Sequence, residues 1–260
     1  MDMDAAYSNT DHVPGAADYP PRWAAAAAAF RRDLGQRAAL DLPYGDHPRA
    51  RFDLFHPEGA PRGLVVFVHG GYWKAFDKST WSHLAAGPLA HGWAVAMPSY
   101  PLCPEVRIAE ITQAFAAAVP AMAALVDGPI RLAGHSAGGH LVARMAAPGM
   151  LPAAVAARLA RIVPISPVAD LAPLMQTSMN ETLGIDAAEA AAESPLHQPA
   201  PGVPVTVWVG AAELPAFLDQ AERLADAWGA DRHAAEGRHH FDVIEPLAEP
   251  GGDLTRALLA

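Results

Sequence analysis

Cysteine is nearly absent from this chain, and positive charge is in deficit. The 260 residues include a single cysteine, Cys103, so no internal disulfide can form, and one thiol suits a reducing compartment. Cys103 itself reads as a small buried residue. Eighteen Lys and Arg stand against 28 Asp and Glu, a formal net charge of -10. Nucleic-acid backbones and anionic membranes need clustered cations, so neither is an expected partner and a small-molecule substrate is. No apolar run approaches the ~20 residues of a membrane span, and the start Met1-Asp2-Met3-Asp4 is the opposite of a basic secretory segment. The alanine run at 24–29 leads into Phe30-Arg31-Arg32-Asp33 and reads as part of a solvated helix. A cytoplasmic location is therefore expected. The 12 histidines are scattered, without H-E-x-x-H or another ligand spacing, so no metal is expected. No strand is followed by G-x-G-x-x-G or a phosphate loop, and no cofactor is implied. The oligomeric state is open, with room for a homodimer.

What the sequence does contain is hydrophobic content, 52% of residues, enough for one core at this length. One domain covering 1–260 is expected. Short apolar runs alternate with helical stretches, which means an α/β protein with a mostly parallel central sheet and helices on both faces. Residues 1–40 read as an N-terminal helical extension, and 51–55 alternate like an early, half-buried strand. Residues 63–69 and 93–97 are continuous apolar runs of the kind covered on both faces, and 130–133, 161–165 and 203–209 supply further strands. Helices are expected over 108–125, from about 139, and over 217–228. The stretch of about 168–201 is too long for a tight turn and is expected to cover a site as a small cap.

Gly134-His135-Ser136-Ala137-Gly138 matches G-x-S-x-G between a predicted strand and a predicted helix, the context of a nucleophile elbow. The turn must be so tight that its central residue is strained, with small neighbours preventing clashes while the serine Oγ is pushed out above the sheet. Upstream, His69-Gly70-Gly71-Tyr72-Trp73 ends a strand where a loop of backbone N–H groups would complete an oxyanion hole. The donors assigned are the amides of Gly71, Tyr72 and Ala137. His135, flanking the serine, is expected to pack under the turn.

A serine needs a base. His239 and His240 lie near the C-terminus, as the order serine, acid, histidine requires. His240 is placed at a loop tip before a final helix beginning Phe241-Asp242-Val243-Ile244, and His239 as its solvated neighbour. For the acid there are two candidates: Glu213, after the strand at 203–209, is favoured, and Asp170, after the preceding strand, competes with a helix-capping role.

With these residues in hand, the chain resembles the arylformamidase branch of the α/β hydrolases, related to hormone-sensitive-lipase-like esterases. The resemblance rests on Tyr44-Gly45 with Asp53-Leu54-Phe55, His69-Gly70-Gly71-Tyr72-Trp73, Tyr100-Pro101-Leu102-Cys103-Pro104, Gly134-His135-Ser136-Ala137-Gly138-Gly139-His140-Leu141 and His240-Phe241. It implies the α/β-hydrolase fold and a triad falling on Ser136, Glu213 and His240, with Glu213 departing from the usual aspartate. It also implies cleavage of N-formyl-L-kynurenine to L-kynurenine and formate. A formamidase would need an aromatic leaving-group pocket, for which Tyr72, Trp73, Trp81 and Phe217 are candidates, the last two also fitting core packing. A carboxylesterase for short acyl or aryl esters is the main rival, and a non-catalytic small-molecule receptor on the same fold is a rival of another class.

Overall fold

Parallel strands buried on both faces are the organising feature of the computed structural model, which describes residues 2–260. Eight strands form one sheet: β1 Ala38–Pro43, β2 Arg51–Phe55, β3 Leu64–Val68, β4 Ala94–Pro98, β5 Ile130–His135, β6 Leu159–Ile165, β7 Thr206–Gly210 and β8 Asp231–Ala235. Their spatial order is β1-β2-β4-β3-β5-β6-β7-β8. β2 is antiparallel to β1 and β4, and every other neighbouring pair is parallel.

The continuous apolar runs are explained by two cores, one on each face. In β3, Leu64, Val66 and Val68 join the core that holds the helices Ile108–Ala123 and Pro215–Trp228. Val65 and Phe67 join a second core that contains Trp23 of the helix Tyr19–Leu34 and Leu254 and Leu258 of the helix Asp253–Leu259. Successive strand residues point to opposite faces, so burial on both faces makes β3 apolar at every position.

The order of strands positions the site. From β3 the chain crosses to β4 on one side, then returns past β3 to β5 on the other, which makes the β3/β5 pair the topological switch point. The crevice beyond the carboxyl ends of the strands at such a point is where open α/β sheets bind ligands. The last pairs of that ladder, Phe67 with Ala133 and Val68 with Gly134, bring the glycine loop after β3 beside the serine turn after β5.

Several expectations need correction. The helical part of the N-terminal extension ends at Arg37, and β1 already occupies Ala38–Pro43. As an exposed edge strand it lacks the apolar alternation that marks a strand in sequence. Strand β2 is not half-buried: Phe52, Asp53, Leu54 and Phe55 are all buried, because β1 and β4 flank it. Asp53 tolerates this by pairing with Lys78 Nζ at 2.7 Å and accepting the Asp41 N–H at 2.9 Å. No helix starts at Phe241. That stretch is a series of turns, then a 3₁₀ segment Glu245–Ala248, and the final helix is Asp253–Leu259. Pro246, Pro250, Gly251 and Gly252 break the helical pattern that 241–244 suggested. β8, exposed over four of its five residues and polar at Asp231, Arg232 and His233, carries no run of large hydrophobic residues. The stretch of about 168–201 contains two short helices, Asn180–Leu183 and Ala187–Glu193, and two 3₁₀ segments, Ala172–Gln176 and Pro195–His197. Among the described residues no helix is long and apolar enough to cross a membrane.

Candidate active site

Ser136 directly follows β5 and caps the helix Ala137–Arg144 with φ 57° and ψ -115°, a region that L side chains occupy only under constraint. The constraint is steric. A Cβ on Gly134 would lie 2.1 Å from the Gly138 carbonyl oxygen, and one on Gly138 would lie 2.1 Å from that of Val68. The two glycines thus let the helix sit tightly on β3 and β5. The Ser136 N–H is tied to the Ile165 carbonyl at 2.8 Å, which fixes the turn from the β6 side.

The loop after β3 lies against this elbow. A Cβ on Gly70 would stand 2.9 Å from the His135 carbonyl oxygen and 3.0 Å from Ser136 Cβ. Gly71, Tyr72 and Trp73 all have positive φ, at 112°, 48° and 53°, and the turn is closed by the Lys74 and Ala75 N–H groups donating to the Gly71 carbonyl. Among the described residues, the amides of Gly71, Tyr72 and Ala137 have no protein acceptor. For Ala137 this follows from its place in the first turn of a helix, where N–H groups find no intrahelical partner. Gly71, Tyr72 and Ser136 border one cavity.

His240 is buried, and its Nδ1 lies 2.6 Å from Glu213 Oε2. The other carboxylate oxygen of Glu213 accepts the Gly210 N–H at 2.7 Å and the Ser166 hydroxyl at 2.5 Å. Both oxygens are engaged, so the carboxylate cannot turn, and an acceptor at Nδ1 keeps the proton there and leaves Nε2 unprotonated. The His240 ring rests on Phe217 at 4.3 Å between centroids. Behind it, His135 Nε2 lies 2.9 Å from the His240 carbonyl oxygen, an arrangement in which the imidazole N–H donates. Burial first, and the His240 ring second, push the pKa of His135 well below the usual histidine range. A neutral His135 inside the elbow therefore anchors the loop that carries His240.

The competing acid, Asp170, is elsewhere. Its Oδ2 pairs with Arg223 at 2.9 Å and its Oδ1 accepts the Ala172 N–H at 3.0 Å. His239 is not a solvated neighbour: its Nε2 meets the Tyr19 hydroxyl at 3.0 Å, and its Nδ1 accepts the Phe241 N–H at 3.2 Å. Of the four pocket candidates, Tyr72 and Trp81 border the cavity and Trp73 and Phe217 do not. Trp73 is fully buried, packed edge-on against His140 at 5.0 Å. Phe217, also fully buried, supports the underside of His240. Both aromatics stand where sequence proximity to the site suggested a wall, but their side chains point into the first core.

The cavity measures about 680 Å³, within the range that encloses small-molecule ligands. One side is aromatic: Trp23 and Trp81 lie 4.5 Å apart between centroids, with Phe241 5.7 Å from Trp23 and Phe76 5.9 Å from Trp81. Much of the remaining lining comes from the N-terminus, from residues between Asp2 and Pro20, and from Ser178 and Met179. That N-terminal wall was not foreseen. It is fastened by the Tyr72 hydroxyl donating to the Tyr7 carbonyl at 2.8 Å, by Gln220 donating to the Tyr7 hydroxyl at 2.9 Å, and by the Ser178 N–H donating to Asp4 at 2.7 Å. Ser166, also missed, has no local motif to announce it. Among the described residues no group of three or more His, Cys, Asp or Glu side chains could hold a metal ion.

A strained serine at the switch point of such a sheet, with a buried histidine–carboxylate pair opening on the same cavity, defines a hydrolase-type site. The model of the alpha/beta hydrolase family matches residues 65–258, and the chain belongs to that family. It is similar to kynurenine formamidase of Drosophila melanogaster, 29% identical over 257 residues that cover 87% of this chain and 83% of that protein. Kynurenine formamidase of Danio rerio is 25% identical over 237 residues, covering 85% of this chain and 80% of that protein. A crystal structure from Silicibacter sp. TM1040, for which thioesterase activity has been suggested, matches with a TM-score of 0.98, 62% identity and 100% coverage of both chains. The chain is an arylformamidase-like hydrolase.

Proposed function

We propose that this hydrolase works through an acyl-Ser136 intermediate on small aryl acyl compounds, with aryl formamides, N-formyl-L-kynurenine foremost, as its substrates. The observation that carries the reading is the Glu213–His240 pair, locked at 2.6 Å, opening with Ser136 on one aromatic-walled cavity. His240 Nε2 takes the Ser136 proton as Oγ attacks the formyl carbon. The oxyanion that forms accepts the unpaired amides of Gly71, Tyr72 and Ala137; losing one such donor typically costs ~3 kcal/mol of transition-state stabilisation. The imidazolium returns its proton to the leaving arylamine nitrogen. Water, deprotonated by the same imidazole, then attacks the formyl-enzyme, and as the bond to Oγ breaks the imidazolium returns that proton to Ser136 Oγ and formate is released.

The relatives named kynurenine formamidase support the formamide. The suggested thioesterase activity of the 62% identical structure favours a second reading, hydrolysis of short acyl esters or thioesters by the same steps with an alkoxide or thiolate leaving. The test is kcat/KM of the purified protein on N-formyl-L-kynurenine, phenyl acetate and an acetyl thioester, each with Ser136→Ala as control. Turnover of the formamide at a far higher kcat/KM, abolished in the variant, is expected. Serine-dependent cleavage of the ester or thioester alone would overturn the formamide and retain the chemistry. No serine-dependent turnover of any would favour a receptor.

A further inference from the structure

We infer that His135 Nδ1 accepts a hydrogen bond from the N–H of the scissile amide, and that this acceptor inclines the site toward aryl formamides over the corresponding esters. The inference deepens the formamide reading above and rests on it. His135, the residue before the nucleophile, borders the cavity together with Ser136 and His240 and is only 4% exposed. Its Nε2 lies 2.9 Å from the His240 carbonyl oxygen. A carbonyl only accepts, so Nε2 carries the proton. Burial first, and the His240 ring second, keep the imidazole neutral, which leaves Nδ1 as a bare acceptor.

Among the described residues that acceptor has no partner. Asn9 Oδ1 and the indole nitrogens of Trp23 and Trp81 are unpaired as well, but they are sealed from solvent, whereas His135 Nδ1 is not among the sealed atoms and stays open to the cavity. The neighbouring glycine leaves it uncovered. A Cβ on Gly70 would stand 3.3 Å from His135 Nδ1 and 3.0 Å from Ser136 Cβ, so a larger residue there would crowd both the acceptor and the nucleophile. The ring also lies beside that of His240, 4.6 Å between centroids. The acceptor is thus next to the base, which in the mechanism above returns its proton to the leaving nitrogen. An aryl formamide and the matching aryl formate share carbonyl and ring, and differ only in N–H against O at the atom that leaves. Once enclosed, the N–H needs an acceptor in place of water, which Nδ1 supplies. The ester oxygen has no hydrogen to offer and would set its lone pairs against that of Nδ1.

The test is kcat/KM on formanilide and phenyl formate, each corrected with Ser136→Ala, for the unmodified enzyme and for His135→Gln. The glutamine amide reaches the place of Nε2, so it keeps an N–H for the His240 carbonyl and removes the acceptor at Nδ1. The formamide-to-ester ratio is expected to fall about tenfold; comparing the two proteins cancels the different reactivities of the leaving groups. An equal fall on both substrates would assign His135 to holding the His240 loop alone and overturn the inference. Proton–nitrogen NMR of the full-length Ser136→Ala protein with isotope-labelled histidine does not depend on how the glutamine variant folds. Formanilide should move the His135 Nδ1 signal upfield, as an imidazole nitrogen moves on accepting a hydrogen bond, and N-methylformanilide, which lacks the N–H, should not. No movement with formanilide, or the same movement with both ligands, would overturn the inference. Absence of serine-dependent turnover in the unmodified enzyme would defeat the acyl-serine reading and leave the NMR result standing, whereas an unchanged ratio beside serine-dependent turnover would defeat the inference alone.

Discussion

At the scale of single residues, Glu213 shows how a departure from the usual aspartate is accommodated. The longer side chain reaches His240 while its second oxygen is drawn back by the Gly210 N–H and the Ser166 hydroxyl. Those two donors dictate what Glu213→Gln would do. The amide oxygen would keep them, so the NH₂ group would face His240 Nδ1 and force the proton onto Nε2, the atom that takes one from Ser136 in the mechanism proposed above. We expect kcat to fall about 10³- to 10⁴-fold with the fold intact, read as steady-state kinetics beside a circular-dichroism melt. A loss of less than tenfold would mean that the pair does not act as an orienting acid and base. His135 belongs to the same scale: a neutral side chain whose hydrogen bond holds the backbone of the catalytic candidate.

At the scale of elements, the N-terminal segment deserves as much weight as the strands. The helix Met3–Tyr7 is five residues long and is a poor helix alone. It is held by Tyr7, which sits edge-on to Phe217 at 5.8 Å and receives bonds from Tyr72 and Gln220. Further along, His12 meets the Ala212 carbonyl at 3.0 Å and Tyr19 meets His239 at 3.0 Å, so the segment spans the cavity from the Gly71 loop to the His240 loop. Tyr7→Ala would remove the ring and the hydroxyl that accepts one Gln220 N–H, leaving Gln220 its bonds to Ala169 and Asp170, a loss of ~2–4 kcal/mol at that anchor. The expected result is a KM raised at least tenfold with a smaller change in kcat, together with faster amide hydrogen exchange over residues 2–18. An unchanged KM would show that this wall does not bind substrate.

At the scale of the whole molecule, acidification should unfold the protein through its histidines before its carboxylates. His69, His135 and His140 are all buried. Burial pushes His69 and His140 down to about 4 and His135 well below its usual range. The folded pKa is lower than the ordinary value of 6.5, so the unfolded chain binds protons that the native one refuses once the pH drops below 6.5. Stability is then complete above that value and lost as pH falls toward 4, by up to ~1.4 kcal/mol per pH unit for each histidine. Urea midpoints should be flat from pH 8 to 7 and drop steeply between pH 6.5 and 5. Equal midpoints at pH 7.5 and 5 would show that these rings are not held neutral. The carboxylates of Asp77 and Glu193, lowered by their hydrogen bonds against the cost of burial, would add their loss only at lower pH.

How much of this was legible beforehand depended on whether a feature is local. The elbow at Ser136, the Gly70-Gly71 loop and the strand–helix alternation were readable because the clashes at Gly134 and Gly138 and the two-sided burial of β3 leave their mark on adjacent residues. His240 and Glu213 could be placed by chain order alone. The sequence by itself therefore determined the fold class and the residues eligible for the site. Only tertiary structure separates Glu213 from Asp170, since packing alone shows that His240 meets the first and Arg223 the second. It also decided which aromatics face the cavity, because the adjacent Tyr72 and Trp73 share a positive φ, yet Tyr72 borders the cavity and Trp73 is buried in the core. And it alone placed Asp2, Asp4 and Asn9 on the same cavity as Ser136, residues more than a hundred positions away that no local pattern links to it.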